Sequence, residues 1–188
     1  TDTHRRVGLL GIGGGAARWL IDDRDRDISG AHWPRGSESI VVNETRAAKE
    51  IAWLVDPESG ESAPFTRTTG TLLPIAPGAT SGWVGYHYAA RHPMRLVRVE
   101  ASGELRPLSD RPESALEAEF LAAAEDFLWR STDDLEIHGW LFRPRGPSKG
   151  AIILVHGGPT AHDEDSFNPE IQYLVTAGFT VLTPNYRG

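Results

Sequence analysis

The sequence predicts a mixed architecture: antiparallel β-structure over roughly the first 110 residues, then the opening of a parallel α/β domain. Three observations carry this. Short β-prone runs separated by Gly, Pro and Asp turns fill the first part. A break at Asp110-Arg111-Pro112 leads into a run rich in Ala, Leu and Glu. The stretch from Ala151 onwards reads as strand, Gly-rich loop, helix and strand.

The β part comes first in the chain. Its β-prone runs are Arg18–Ile21, Ser39–Val42, Glu50–Val55, Gly82–Tyr88 and Met94–Val99. Between them lie Pro34-Arg35-Gly36, Asp56-Pro57-Glu58-Ser59-Gly60 and Ala101-Ser102-Gly103, all turn chemistry. Two stretches resemble each other. Trp53-Leu54-Val55-Asp56 runs through Gly60 to Phe65-Thr66, and Leu96-Val97-Arg98-Val99 runs through Gly103 to Leu108-Ser109. Each is a strand, an acidic/Gly turn and a second short strand. That half-repeat is what one propeller blade offers, and a sandwich gives a similar pattern. Trp33, Trp53 and Trp83 fall about one to each strand group, as core packing between strands. Gly11-Ile12-Gly13-Gly14-Gly15-Ala16 fits a dinucleotide pattern, but Trp19-Leu20-Ile21 after it reads as strand rather than helix, so a loop is expected. Asp22-Asp23-Arg24-Asp25-Arg26-Asp27 reads as a mixed-charge surface turn.

The second part opens near residue 112. Ser114-Ala115-Leu116-Glu117 has capping-box spacing, and Leu116, Phe120, Ala124 and Phe127 recur every three or four positions, predicting a helix. From Phe127 two strands follow, Phe127–Arg130 and Glu136–Phe142, joined at Thr132-Asp133-Asp134. Ala151–Val155 is a continuous apolar run, as in a strand buried on both faces. Asn168-Pro169 starts a helix with the stripe Ile171, Leu174 and Val175, and Gly178 ends it. Thr180–Thr183 is the next strand, closing a βαβ crossover and so a parallel sheet.

Composition narrows the function classes. Hydrophobic residues make up 39% and charged residues 24%, as in a soluble globular protein. A net charge of −7 argues against a nucleic-acid partner, which needs a basic face. Having no cysteine excludes disulfides, thiolate nucleophiles and cysteine metal sites, and fits a reducing, cytoplasmic setting. Residues 1–15 hold no apolar run after a basic stretch, so no signal peptide is expected. Ala151–Val155 is too short to cross a bilayer, so no membrane partner is expected. The chain opens without Met and stops at Gly188 just after a strand, which suggests an incomplete polypeptide.

The chemistry-bearing motif is His156-Gly157-Gly158-Pro159, directly after the run Ala151–Val155 and before a helix. Acyl transfer builds negative charge on a carbonyl oxygen, and backbone N–H groups held in a dry pocket stabilise it. Glycines leave the approach open. A His-Gly-Gly loop at this point of an α/β-hydrolase sheet is a known oxyanion-hole arrangement, although a tight strand-to-helix turn without a catalytic role has the same sequence.

Residues 136–188 carry a wider likeness. Ile137-His138-Gly139-Trp140-Leu141, Pro144, Ile153–Pro159, Phe167-Asn168-Pro169-Glu170-Ile171-Gln172, Ala177-Gly178-Phe179 and Pro184-Asn185-Tyr186-Arg187-Gly188 occur in order with consistent spacing. In them the chain resembles the opening of the catalytic domain in the prolyl oligopeptidase family of serine peptidases, most of all its acylaminoacyl-peptidase and aminopeptidase branch. The resemblance implies a fold in two parts: the last blades of a β-propeller over residues 1–112, and the N-terminal part of an α/β-hydrolase domain over 113–188. It implies hydrolysis of short peptides through an acyl-enzyme, with no cofactor and no metal. The Gly158 N–H becomes one oxyanion donor, Gly157 shapes the loop, and His156 anchors it. Tyr186 and Arg187 are candidate substrate contacts, with a structural ion pair as the other reading of Arg187.

The family's Gly-x-Ser-x-Gly elbow, Asp and His do not occur in the required arrangement, so the remainder of the catalytic domain is an expected partner and the chain alone is expected to be inactive. Gly146-Pro147-Ser148-Lys149-Gly150 matches the elbow formally, but Ser148 precedes its strand instead of following one. His162-Asp163-Glu164-Asp165 offers metal-type ligands on consecutive loop positions that cannot all face one ion, and a solvated acidic loop is expected. Two other functions fit parts of the pattern: an esterase or lipase of the same fold, and a β-rich binding module with a degenerate hydrolase half.

Overall fold

The computed structural model describes residues 5–66, 69–78, 82–100, 102–108, 118–158 and 161–187. The expected boundary near residue 112, the capping box Ser114–Glu117, Ser109, Pro159 and Gly188 lie outside them. Two compact units result. One gathers the chain up to Arg46, Glu50–Tyr86 and Leu96–Leu108; the other gathers Ala47–Lys49, His87–Arg95 and the chain after Leu108.

The β part begins with an antiparallel ribbon of β1 (Val7–Leu9) and β2 (Arg18–Ile21). Two four-stranded sheets follow, each in sequence order. The first holds β3 (Asp27–His32), β4 (Ile40–Arg46), β5 (Lys49–Val55) and β6 (Ser62–Pro64). The second holds β7 (Thr71–Pro77), β8 (Trp83–Ala89), β9 (His92–Val99) and β10 (Leu105–Pro107). Every strand expected in this part has its counterpart. The two half-repeats are β5–β6 and β9–β10, each with its turn closed by a backbone bond: Asp56 N–H to Glu61 O at 2.9 Å, and, in a turn one residue shorter, Glu100 N–H to Glu104 O at 2.9 Å. Two substantial strands, β3 and β7, carry weak sequence signals, and both are sheet edges. β7 contains Pro74 and Pro77, which an edge tolerates because one side of its backbone needs no ladder partner. The Gly11–Gly14 segment is an exposed turn leading into β2, as expected.

Strand β4 is buried on both faces. Ile40 and Val42 join Ile28, Val55, Val7 and Ile21 in one apolar cluster. Val41, pointing the other way, joins Ala52, Phe65, Leu72, Val97 and Val99 in a second that draws on both sheets. Trp83 meets Phe65 edge-on at 5.4 Å. Trp33 departs from the expected core role: it is 50% exposed, and its indole N–H bonds Ser37 O at 2.9 Å.

The mixed-charge turn at 22–27 is also more than surface. Arg26 folds inward, with its side chain 15% exposed, onto Glu44, which is 1% exposed. Both Glu44 oxygens are used. Oε2 accepts two bonds from Arg26, at 2.9 and 2.7 Å, and Oε1 accepts two from Arg46, at 2.9 and 2.7 Å. The Trp53 ring lies 5.1 Å from the Arg26 guanidinium. A carboxylate this buried survives only because two forked donors replace its water.

The later chain forms one four-stranded sheet in the order β11 (Glu125–Arg130), β12 (Glu136–Phe142), β14 (Thr180–Asn185), β13 (Ala151–Ile153). β12 is antiparallel to both β11 and β14, while β13 is parallel to β14. Helix α1 (Pro169–Thr176) makes the crossover. Its ends were legible. The Asn168 side chain accepts from the Glu170 and Ile171 N–H groups, and Pro169 sits in the first turn. Gly178, at φ +99°, closes a Schellman motif: its N–H bonds Val175 O at 2.9 Å and Phe179 N–H bonds Leu174 O at 3.1 Å. Trp140, Phe142, Val181, Ile171 and Val175 form the core under it.

Two expectations fail here. The helix expected across Leu116–Phe127 is absent from the described part of that range: a single 3₁₀ turn spans Ala118–Phe120, and β11 begins at Glu125. Gln172 of α1 explains it. Its side-chain amide accepts from Ala122 N–H at 2.8 Å and donates to Ala122 O at 3.0 Å, taking both groups a helix would need. The run Ala151–Val155 is not buried on both faces. β13 is an edge strand among the described residues, and Ile153 and Val155 are 61% and 64% exposed.

Glu44→Gln should lower unfolding stability by about 3 kcal/mol, because it leaves Arg26, with its side chain 15% exposed, facing a neutral amide in a buried site, while the more exposed Arg46 can turn to water. Urea unfolding of wild type and variant measures this; equal midpoints would show that the cluster does not need its carboxylate.

Candidate functional site

Because β13 and β14 run parallel, their C-terminal ends share one edge of the sheet. The loop His156-Gly157-Gly158 leaves from the first, and Tyr186-Arg187 from the second. β12 is antiparallel to β14, so its start and the turn Ser131–Leu135 come to the same edge, where His138 pairs with Asn185. Ser148 lies at the opposite end. Its hydroxyl donates to Gly150 O at 2.8 Å and sits 2.9 Å from the Thr180 hydroxyl, tying the beginnings of β13 and β14 together. It stands before a strand, in a surface turn.

Tyr186 lies along the glycine loop. Its ring stacks on the His156 imidazole, with centroids 4.3 Å apart and planes 12° apart. Its hydroxyl donates to the His156 carbonyl at 2.7 Å. His156 Nδ1 is 2.6 Å from Gly157 O, so that nitrogen carries the proton, since a carbonyl can only accept. A Cβ built on Gly157 would meet nothing within 4 Å, and one on Gly158 would lie 3.6 Å from Tyr186 Oη. Among the described residues neither the Gly157 nor the Gly158 N–H enters a hydrogen bond.

Of the four candidate residues, the structure brings Gly157, Gly158 and Tyr186 together. Arg187 turns aside to the β11–β12 turn, where it pairs with Asp133 and reaches the Ser131 hydroxyl at 3.4 Å. The Arg187 hydrogen bond holds the exposed Asp133 carboxyl below its ordinary value.

The acidic loop is anchored, which corrects the expectation that water would solvate it. The Asn185 side chain accepts from Asp163 N–H at 2.7 Å and donates to Asp163 O at 3.0 Å. The Trp140 indole donates to the same carbonyl at 2.9 Å. Glu164 accepts from the Tyr88 hydroxyl at 2.7 Å, and Asp165 from the Ala90 N–H at 2.8 Å. Tyr88, Met94, Glu164, Ser166 and Phe167 line an open cleft of about 360 Å³. Among the described residues, no group of three or more His, Asp or Glu is placed to hold a metal ion.

A polar chain braces the same sheet edge. Asn185 Nδ2 is 3.2 Å from His138 Nδ1, and His138 Nε2 is 3.0 Å from Asp126 Oδ1. Lys49 meets Asp126 at 2.8 Å. Burial opposes ionisation of Asp126, but the Lys49 and His138 hydrogen bonds outweigh it and hold its carboxyl below the usual value. Asp163 goes the other way. Burial pushes it up, with the charges of His156 and His162 opposing. Sequence reasoning missed His138 and Asn185 as a pair because their meeting depends on strand register.

No known protein-family profile matches the chain. Over 118 residues it is 30% identical to dipeptidyl aminopeptidase BIII of Pseudoxanthomonas mexicana, a match covering 56% of this chain and 17% of that protein. Its fold is similar to the acylaminoacyl peptidase of Pyrococcus horikoshii, with a TM-score of 0.74 at 21% identity over 98% of this chain and 28% of that one. It is similar also to a puromycin-hydrolyzing peptidase of Mycobacterium tuberculosis, with a TM-score of 0.78 at 18% identity over 97% of this chain and 31% of that one. The chain thus spans less than a third of the length of each of these proteins. The resemblance read from the sequence holds: these neighbours are peptidases of the prolyl oligopeptidase family.

Asp163 supplies a pH test. An acid whose folded pKa is raised favours folding only below its unfolded pKa, and that contribution is lost as pH rises through the folded value. Asp163→Asn should therefore raise Tm at pH 7, and the gain should vanish below about pH 3.8. Thermal unfolding of both forms across that range checks it; a gain that persists unchanged in acid would exclude burial of the charge as the cause.

Proposed function

We propose that this chain is part of a serine peptidase that hydrolyses short peptides through an acyl-enzyme, and that it supplies the oxyanion loop while the catalytic serine, aspartate and histidine lie outside it. One observation carries the reading: among the described residues, two glycine amides beyond the C-terminal end of a parallel strand enter no hydrogen bond. In the intact enzyme, the serine oxygen attacks the peptide carbonyl and the carbonyl oxygen becomes negative. The Gly158 N–H and the amide of the residue after the nucleophile share that charge. Collapse of the intermediate expels the amine and leaves the acyl-enzyme, which water then hydrolyses.

The rest of the architecture supports this assignment. Two four-stranded sheets in sequence order have the form of propeller blades, which favours residues 1–112 as the end of a propeller that admits only short peptides. It also weighs against an esterase of the same hydrolase fold. The sheet order β11-β12-β14-β13, with one parallel crossover, fits residues 113–188 as the start of an α/β-hydrolase domain. Arg187 is engaged by Asp133, which favours its structural role over substrate contact. The lack of cysteine fits cytoplasmic function.

Purified full-length protein should release p-nitroaniline from aminoacyl or acylaminoacyl anilides, and residues 1–188 alone should not. Gly158→Pro, which deletes the donor N–H, should lower kcat of the full-length protein roughly 10²–10³-fold. Turnover by the isolated chain that survives Ser148→Ala would sink the assignment.

A further inference from the structure

The two carbonyls of the glycine loop are both occupied from the protein side. His156 O accepts from the Tyr186 hydroxyl at 2.7 Å, and Gly157 O faces His156 Nδ1 at 2.6 Å. A trans peptide holds its C=O and the following N–H on opposite edges of one plane. Tying down His156 O therefore aims the Gly157 N–H, and tying down Gly157 O aims the Gly158 N–H, each away from the tyrosine–histidine stack. Each donor is directed opposite to its bound carbonyl.

We propose that Tyr186 is a positioning residue for the oxyanion loop rather than a substrate contact: its hydroxyl locks the peptide plane between His156 and Gly157, and its ring locks the imidazole that holds the next plane. Three features support it. The phenol proton is already committed to His156 O, so it is not available to a substrate. The ring stacks near-parallel on His156, an arrangement that restricts rotation of that imidazole. Tyr186 is itself held on both sides in sequence, by Asn185 bonded to the 163 backbone and by Arg187 paired with Asp133. Flanking residues anchored to two separate elements steady the backbone that carries it. The inference rests on the peptidase reading for its catalytic consequence, but the loop geometry stands apart from that reading.

Tyr186→Phe in the full-length protein separates the roles. It keeps the ring and its stacking, so it should fold with Tm within a few degrees of wild type. Losing the hydroxyl should free the first peptide plane and lower kcat on a peptide anilide roughly 10- to 100-fold, with KM within about twofold. A KM that rises while kcat is retained would assign Tyr186 to the substrate and overturn the proposal, as would unchanged values of both. If wild type itself turns over no peptide, the peptidase reading fails separately. A crystal structure of Tyr186→Phe then decides: a rotated or doubled 156–157 peptide supports the positioning role, and an undisturbed loop overturns it.

Discussion

The site depends on the two-sided pairing of β14. This strand is antiparallel to β12 on one side and parallel to β13 on the other. That places one turn, one strand end and one glycine loop, far apart in sequence, at a single edge. His138 reaches Asn185, Arg187 reaches Asp133, and Tyr186 reaches His156 for the same reason. Slipping β14 by one residue would reverse every side chain along it and turn Val181, at 0% exposure, out of the core, so the burial of Val181 fixes the register on which these meetings depend.

Features with local causes were legible in the sequence. Helix α1 was, because Asn168, Pro169 and Gly178 act on their own neighbours. So were the turns after β5 and β9, and the glycine loop itself. Features decided at a distance were not. Ala122 and Ala124 have helical propensity, but Gln172, fifty residues on, binds Ala122 and holds it out of a helix. The acidic loop looked solvated because its partners, Tyr88 and Ala90, sit in a hairpin more than seventy residues earlier. An apolar run such as Ala151–Val155 states that a strand forms and leaves open whether neighbours cover it.

Charge is handled differently in the two parts of the chain. Glu44 is sealed from water and depends most on Arg26, the more deeply placed of its two arginines. The Lys49–Asp126–His138–Asn185 chain is partly wet, and water can replace any one link at modest cost. The first makes a rigid core feature. The second leaves room for adjustment next to the glycine loop.

β13 is the margin of its sheet among the described residues. It presents branched apolar side chains, Ile153 among them, and has a ladder partner on one side only among the described residues. Such a margin is adhesive: its free amides and carbonyls will template any extended segment that comes within reach. Handled by itself, this polypeptide should therefore cling to its own copies along that rim, and a covering strand or a lysine placed there would keep it dispersed.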